Sequence, residues 1–417
     1  MKKRILWMFA AILTCGLTMT SLSSCISLSD NPTTTEADDG SARVTETLYY
    51  NLQKTTVYKF EYASTDPYGN PCMLSGVITV GDEVTKQTPA RGILLYNHFT
   101  IFRADQCPSA GNLAVQKLMS GSGLITVSAD YYGFGITNDK NQAYCISEAN
   151  AQASVDALLA ARKLLTKMGY TWDDVLFNAG YSQGGQTTMA VLRLVTQKYP
   201  DIRFTYTFAG GGSYDIPETY RQFILSGETA MPATVIGVLL AYNEYFNLGI
   251  PYSDIFTGST LNNIDEWMFS KQYSGQEIND KIGSNALATF ITPTMLDLES
   301  DLSKQFMQVL DTDNLSKGWQ VRKGEKITLV HNLSDAAVPA ANTEKMYQFF
   351  ANQGLNVSKN KADNPDIYVL LEDMGSELQP AHETGALVFI NETIATLCQI
   401  LNITPWVTIT PDMMISL

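Results

Sequence analysis

A short serine motif flanked by glycines is the segment of the chain best suited to chemistry. Residues Gly180-Tyr181-Ser182-Gln183-Gly184 match the pattern G-x-S-x-G. They follow the apolar run 175–179, a predicted strand, and precede a predicted helix at 186–197. Between a strand and a helix, such a serine lies on a strained turn that lifts its hydroxyl off the sheet, and the helix points unpaired N–H groups at it. Ser182 is therefore the candidate nucleophile, with an ordinary turn serine as the alternative.

A serine hydroxyl is a weak nucleophile until a base removes its proton, and the chain offers three histidines for that role. His382 lies between the last predicted strand, 367–371, and the last predicted helix, 383–401, where this architecture brings a side chain to the carboxyl edge of the sheet. We predict His382 as the base and keep His98 as second choice. His331 ends a predicted strand and should be buried. With so few histidines, no metal site is expected.

The acid that orients the base should precede it in the chain, in the order Ser…Asp…His. Asp335 fits because it follows the predicted strand 327–331 after a short loop and precedes His382. Its role would be to hold the imidazole tautomer and to stabilise the imidazolium. Alternatively, Asp335 only caps the next helix. Glu372 and Asp373, at the end of the last strand, are the competing acids.

Acyl transfer also needs two backbone N–H groups aimed at the developing oxyanion. Gln183, directly after the nucleophile, should supply the first. The second should come from the loop that follows the predicted strand 92–98. We choose Thr100 for this donor, with Phe99 as the alternative.

The elements that position these residues alternate between strand and helix, which predicts a mostly parallel sheet covered on both faces. From 212 to 326 the alternation stops. The stretch 214–317 is too long for a loop and contains the apolar span 230–252, so we expect an inserted helical subdomain. It is either a lid over a pocket or a buried helix pair that packs on the sheet. The predicted strands are 55–64, 72–80, 92–98, 124–129, 175–179, 202–208, 327–331 and 367–371.

The order and context of these motifs resemble the α/β-hydrolase family, and most of all its secreted bacterial and fungal lipases and esterases with a helical cap. The resemblance covers about 94–401 and includes the loop 107–109, the turn 129–135 and Gly211, Gly212, Tyr214 and Asp215. It implies a mostly parallel eight-stranded sheet flanked by helices, the triad Ser182–Asp335–His382, and ester cleavage without a cofactor. Phe99 departs from the pattern, because many relatives have glycine there. Either the acyl site is narrower or the oxyanion hole is built differently.

The N-terminus has the features of an export signal. Basic residues 2–4 precede the apolar stretch 5–20, which is short for a membrane span. The sequence Leu-Ser-Ser-Cys that follows resembles a bacterial lipobox, in which Cys25 is lipidated and becomes the mature N-terminus. An ordinary cleaved signal is the alternative. Ile26 after the cysteine favours the outer membrane, in a periplasmic or surface-exposed position.

Composition bounds the domain organisation and the partners. The 417 residues are 45% apolar and 17% charged, a composition typical of a globular protein. The length predicts two domains, or one large domain that carries an insertion. The net charge of −14, or −17 once residues 1–24 and their three cations are removed, argues against nucleic-acid binding. The expected partners are an ester, small or lipid, and the membrane through the anchor. We expect residues 1–24 to be a signal peptide and residues 25–45 to be a lipidated acidic tether. The hydrolase core would consist of residues 46–213 and 319–417, and the cap of residues 214–318.

Four cysteines would remain after Cys25: Cys72, Cys107, Cys145 and Cys398. Export to an oxidising compartment permits disulfides. Cys107 and Cys145 each follow a predicted strand, in loops that should open on one face. We favour that pair, with four reduced and buried cysteines as the alternative.

Two further functions remain open. A serine peptidase of the prolyl-oligopeptidase kind shares sheet and triad, although the short N-terminal segment leaves no room for a propeller. A non-catalytic lipoprotein could use the same pocket to bind a ligand, but a complete triad argues against it. A haloalkane-type enzyme would need an aspartate at position 182.

Overall fold

A single mixed sheet forms the centre of the molecule. The computed structural model describes residues 25–27, 41–50, 54–375 and 381–414. Eleven strands occur in these residues: β1 (Cys25–Ser27), β2 (Ala42–Tyr50), β3 (Thr55–Thr65), β4 (Pro71–Gly81), β5 (Ile93–Asn97), β6 (Ile125–Ala129), β7 (Leu176–Tyr181), β8 (Tyr206–Gly210), β9 (Ile327–Asn332), β10 (Val357–Ser358) and β11 (Ile367–Glu372). Their order across the sheet is β1-β2-β3-β4-β6-β5-β7-β8-β9-β11-β10.

The sheet has an antiparallel side and a parallel side. Strands β1 to β4 pair antiparallel, β4 joins β6 antiparallel, and every pair from β6 to β10 is parallel. Strands β5, β6 and β9 are buried at every position, as expected for strands covered by helices on both faces. The parallel side therefore carries the carboxyl edge at which we predicted the site.

The sheet is larger than the eight strands that the family resemblance implied. All eight predicted strands are present, although 202–208 becomes β8 (Tyr206–Gly210), and β1, β2 and β10 are added. Strand β2 starts inside the range 25–45 that we gave to the tether. It is rich in polar residues because it lies toward the edge of the sheet, where Arg43 pairs with Glu61 of β3 at 2.8 Å. Residues 1–24 and 28–40 lie outside the described residues.

Helices cover both faces of the sheet and build the insertion. The helices are α1 (Ala114–Ser120), α2 (Ser147–Lys167), α3 (Gln183–Lys198), α4 (Ile216–Ser226), α5 (Pro232–Tyr245), α6 (Tyr252–Ile255), α7 (Gly258–Ile264), α8 (Gly275–Ile282), α9 (Pro293–Leu296), α10 (Asp301–Leu310), α11 (Ala341–Asn352), α12 (Ala381–Leu401) and α13 (Pro411–Met414). A π-helical turn, Asp265–Phe269, follows α7. Short 3₁₀ helices lie at Ala104–Gln106, Pro108–Ala110, Gly135–Thr137, Leu287–Thr289, Asp311–Asp313 and Lys361–Asp363.

Helices α4 to α10 form the cap, which lies between β8 and β9 in the chain and contains no strand. It has a hydrophobic cluster of its own, built around buried residues such as Tyr220, Ile236, Leu239 and Phe290. Burying these side chains against one another stabilises the cap as a unit. The two ends of the cap meet where the Leu315 N–H donates to the Tyr214 carbonyl at 2.7 Å.

Helix α12 is apolar enough to cross a membrane by length and composition, the one such helix in the described part of the chain. More than half of its most apolar window, 56%, is buried inside the molecule. Phe389 and Ile390 pack in a cluster with Phe208 of β8 and Val330 of β9. Its apolar character is therefore that of a helix that covers the sheet.

The expected disulfide between Cys107 and Cys145 is wrong. Cys72, Cys107, Cys145 and Cys398 are all free thiols. Cys107 lies in a small cluster with Ile101 and Phe134, whereas Cys145 belongs to the hydrophobic cluster of the cap. The two loops open toward different packing environments, and each thiol is buried as a small apolar group.

Candidate active site

Ser182 lies on the sharp turn between β7 and α3, with φ of 60° and ψ of −124°. A positive φ is costly for a residue with a Cβ, and the surroundings must hold it in place. A Cβ added to Gly180 would lie 2.4 Å from the Gly184 carbonyl oxygen, and one added to Gly184 would lie 2.1 Å from the Asn97 carbonyl oxygen. Because the backbones pass so close, any side chain at Gly180 or Gly184 would collide with a neighbouring carbonyl group, and only glycine fits at these positions.

Asp335 and His382 are brought together by the ends of β9 and the start of α12. Asp335 Oδ2 lies 2.5 Å from His382 Nδ1, and both side chains are buried. Asp335 Oδ1 accepts from the N–H groups of Ala337 and Val338, each at 2.9 Å. The carboxylate is thus fixed by its own loop on one oxygen and offers the other to the histidine.

The electrostatics of this pair favour the charged carboxylate. Burial raises the pKa of Asp335, but the neighbouring His382 and His331 outweigh it and hold that pKa well below its usual range. Burial lowers the pKa of His382, but the Asp335 carboxylate more than compensates, so the net pKa is raised. Beside the pair, burial raises the pKa of Glu383 to about 7, against the opposing effect of His382.

His331 supports the acid, a role that sequence reasoning missed although it expected the residue to be buried. Its Nε2 lies 2.9 Å from the Val338 carbonyl and 3.3 Å from Asp335 Oδ2. Because Nε2 faces two acceptors, it must carry the proton, and Nδ1 accepts from the Thr343 hydroxyl at 2.7 Å. His331 therefore donates to the Val338 carbonyl, in the loop that carries the acid, and its ring lies beside the carboxylate that holds His382.

Asn332 ties the loop of the acid to the helix of the base. Its Nδ2 donates to the Ala381 carbonyl at 3.0 Å, and its Oδ1 accepts from the N–H of Ser334 at 3.1 Å. The Tyr181 hydroxyl donates to the His382 carbonyl at 2.7 Å, and the two rings lie 5.0 Å apart. Since Tyr181 directly precedes the nucleophile, its side chain ties the backbone of His382 to the strand that leads into the serine turn.

The other candidate residues have separate roles. The ring nitrogens of His98 face the carbonyls of Phe99 and Asp130 at 2.7 and 3.2 Å, and burial lowers the pKa of His98. Asp130, in the turn 129–135, accepts from the Ser75 hydroxyl and the Ser109 N–H. Both groups hold the loops around the site.

The competing acids lie elsewhere. Asp373 accepts from the Ser334 hydroxyl and the Gly375 N–H in an exposed turn. Glu372 is exposed at the end of β11. Among the described residues, Asp335 is the carboxylate that contacts His382.

Ser182, Gln183 and Thr100 line one cavity of about 50 Å³ between the sheet and the cap. The N–H groups of Gln183 and Thr100 donate to no protein acceptor within the described ranges. The cap side of the cavity is mostly apolar, and its walls come from α4 and α5: Ile216, Thr219, Tyr220, Phe223, Thr234, Val235 and Val238. The cavity therefore combines a polar floor at the serine with an apolar wall.

A metal centre is not apparent, since no group of three or more His, Cys, Asp or Glu side chains in the described residues could hold an ion.

Solved structures with the same fold are those of hydrolases, esterases and lipases. A hydrolase from Legionella pneumophila has a TM-score of 0.70 and 21% identity over 83% of this chain and 88% of its own. The rice cell wall degrading esterase LipA from Xanthomonas oryzae has a TM-score of 0.67 and 22% identity over 84% of this chain and 90% of its own. Lipase A from Candida antarctica has a TM-score of 0.63 and 13% identity over 86% of this chain and 80% of its own. At these identities the likeness concerns the fold.

The sheet, the serine turn and the cap inserted after β8 define an α/β-hydrolase, as the sequence motifs predicted. A family model described as secretory lipase matches residues 110–366, more than half of the chain. The chain therefore belongs to the secretory lipase family and is a carboxylic ester hydrolase, and the family indicates an exported protein. No curated protein matches the sequence.

Proposed function

We propose that the protein cleaves carboxylic esters in two steps through an acyl-enzyme on Ser182. His382 removes the hydroxyl proton as Ser182 Oγ attacks the ester carbonyl, and the N–H groups of Gln183 and Thr100 stabilise the tetrahedral oxyanion. His382 then protonates the leaving alcohol. Water, activated by the same histidine, releases the acid. Asp335 keeps the proton of the neutral imidazole on Nδ1 and stabilises the imidazolium.

The observation that carries this proposal is the hydrogen bond of 2.5 Å between Asp335 Oδ2 and His382 Nδ1. It fixes the imidazole so that Nε2 is the nitrogen able to accept a proton. His382 Nε2 is buried and has no hydrogen-bond partner among the described residues. A buried polar atom without a partner is costly, which supports a role in the reaction.

The apolar wall of the cavity supports an aliphatic or aromatic acyl group. Tyr220, Phe223, Val235 and Val238 offer no charge to a substrate, and the small free volume suits a short chain. We therefore propose neutral esters with a short to medium acyl group as substrates.

The N-terminal signal supports a second part of the proposal, a lipid anchor on Cys25 that places the enzyme at the outer membrane. The backbone of Cys25 pairs with Tyr50 at the edge of the sheet. An anchor there would keep the core within a short distance of the lipid surface.

The test uses purified full-length protein and p-nitrophenyl esters from acetate to palmitate, with the variants Ser182→Ala and Ser259→Ala. We expect Ser182→Ala to lose at least about 10⁴-fold in kcat. Ser259, an exposed serine on α7, is the matched control and should leave kcat unchanged. An alkyl fluorophosphonate should label Ser182, as read by mass spectrometry of the tryptic peptide.

Retained ester turnover in Ser182→Ala, or a label on another residue, would contradict the mechanism. An alanyl-prolyl anilide is included as a peptidase substrate. Cleavage of the anilide in preference to every ester would favour the serine peptidase instead.

A further inference from the structure

Tyr144 and Thr100 form a polar pair at the edge of the cavity that holds the nucleophile. Thr100 Oγ1 lies 3.0 Å from the Tyr144 hydroxyl, and both residues line the cavity with Ser182 and Gln183. A phenol is a stronger donor than an alkyl alcohol. We therefore assign the donor role to Tyr144, which leaves the hydroxyl hydrogen of Thr100 free to point into the cavity.

The surroundings fix Tyr144 rigidly. Its side chain is buried, and its ring lies 5.3 Å from the ring of Phe102, centroid to centroid. On the cap side it faces Gly237 of α5, where an added Cβ would come within 3.1 Å of the tyrosine ring. The phenol is therefore held between the oxyanion loop and a cap helix.

The turn that carries Tyr144 is anchored from both sides. Cys145, with φ of 59°, presents a carbonyl that accepts from Gln186 of α3 at 3.0 Å and from Tyr242 of α5 at 3.1 Å. Burial raises the pKa of the Cys145 thiol to about 12, so the thiol keeps its proton beside the phenol. The turn is thus tied both to the helix of the nucleophile and to the cap.

We propose that the Thr100 hydroxyl, positioned by Tyr144, is a third donor to the oxyanion. This inference rests on the proposed acyl-enzyme mechanism and adds a side-chain donor to the two backbone N–H groups. The hydrogen bond from the phenol polarises the Thr100 hydroxyl and strengthens it as a donor.

The experiment compares Thr100→Val, Thr100→Ser, Tyr144→Phe and the double variant Thr100→Val/Tyr144→Phe in the full-length protein. Rates on p-nitrophenyl butyrate are divided by the fraction of Ser182 that a fluorophosphonate labels, so that misfolded protein does not count. Thr100→Val should lower kcat about 100-fold, while KM changes less than about twofold. Thr100→Ser keeps the hydroxyl and should retain most of the rate.

Tyr144→Phe should lower kcat about tenfold, and it should cost nothing further when Thr100 is already valine, because the phenol acts through that hydroxyl. A second readout is inhibition by 1,1,1-trifluoro-2-hexanone, whose adduct with the serine carries an oxyanion. Its inhibition constant should rise in proportion to the loss of kcat/KM across the series. A residue that only supports the loop would not produce this proportionality.

Three results would overturn the inference: full activity of Thr100→Val, additive losses in the double variant, or an inhibition constant that stays constant while kcat falls. If Tyr144→Phe does not fold, the comparison of valine with serine at position 100 still decides the role of the hydroxyl. Ser182→Ala separates the two proposals. Its inactivity together with a fully active Thr100→Val contradicts only the third donor, whereas an active Ser182→Ala contradicts the mechanism itself.

Discussion

At the scale of single residues, the site is a set of buried polar groups whose partners decide their protonation. Asp335 is held by two backbone N–H groups and faces two histidines, so it remains charged. Sequence order and context predicted Asp335 and His382 as acid and base, and the structure brings their side chains into contact. Sequence order and context could not reveal that His331 lies beside the acid and donates to the Val338 carbonyl in the same loop, because those contacts depend on how the strand end folds back on its own loop.

In the proposed mechanism, the pH dependence of catalysis follows from His382, which must be neutral to act as base. Its raised pKa places the acid limb of kcat/KM above the ordinary value for histidine, and the rate rises with pH through that limb. The ionised Glu383 carboxylate contributes to this raised pKa. We expect Glu383→Gln to move the limb to lower pH and to leave kcat at high pH unchanged.

The measurement is a pH–rate profile on a soluble ester, with Asp373→Asn as the matched control carboxylate. Asp335 and the Tyr181 hydroxyl also contact His382, and both are unchanged in the two variants. A limb that stays in place, or that moves to higher pH, would exclude this electrostatic role of Glu383.

Acyl preference also belongs to the residue scale. Val238 lines the cavity and is partly exposed. We expect Val238→Phe to fill the acyl site and to lower the octanoate-to-butyrate ratio of kcat/KM about tenfold, whereas Val238→Ala should raise it. The test is the octanoate-to-butyrate ratio of kcat/KM, measured with p-nitrophenyl esters. Equal ratios in wild type, Val238→Phe and Val238→Ala would mean that the acyl group does not bind beside Val238.

At the scale of elements, fully buried strands were easier to predict than edge strands. Strands β5, β6 and β9 form short apolar runs, which are typical of a sheet covered on both faces. Strand β2 escaped prediction because its outer positions are polar and its sequence continues an acidic segment. The cysteine pairing failed for a related reason: a loop's place after a strand does not reveal which hydrophobic cluster its side chains join.

Lys271 connects the cap to the core and should contribute strongly to stability. Its buried ammonium donates to the carbonyls of Gly133, Asn138 and Lys140 on the core side. Lys271→Met removes these bonds and leaves carbonyls unpaired, so we expect a loss of about 2 kcal/mol in the free energy of unfolding. Urea unfolding measures it, with the exposed Lys323→Met as the control.

The pH dependence of that loss has a defined sign. Burial lowers the pKa of Lys271 to about 8. At pH values between about 8 and the ordinary lysine pKa of about 10.4, Lys271 binds a proton more fully in the unfolded chain than in the folded protein. The contribution of Lys271 to the free energy of unfolding therefore grows as the pH rises through this range. The stability gap between wild type and Lys271→Met should therefore widen from pH 8 to pH 10, and a narrowing gap would contradict the role of burial.

At the scale of the whole molecule, the proposed anchor would hold the acidic hydrolase at the membrane. We expect wild-type protein expressed in a bacterial host to sediment with membranes, and Cys25→Ser to lose the lipid mass at the mature N-terminus. Mass spectrometry of that terminus is the deciding measurement. Cys398→Ser is the control, and a wild-type N-terminus without lipid would favour an ordinary cleaved signal.

The meeting of the cap's two ends has a consequence for engineering. Because Tyr214 and Leu315 are hydrogen-bonded neighbours, a short turn could join them and excise everything between. Leu315, Trp319 and Val321 belong to the core cluster, so the return path to β9 would survive the deletion. Such a protein, without the cap and without Lys271, should be less stable, and it should accept bulky esters without regard to chain length. Its kcat should also be low, since helix α5, which packs against the ring of Tyr144, would be missing.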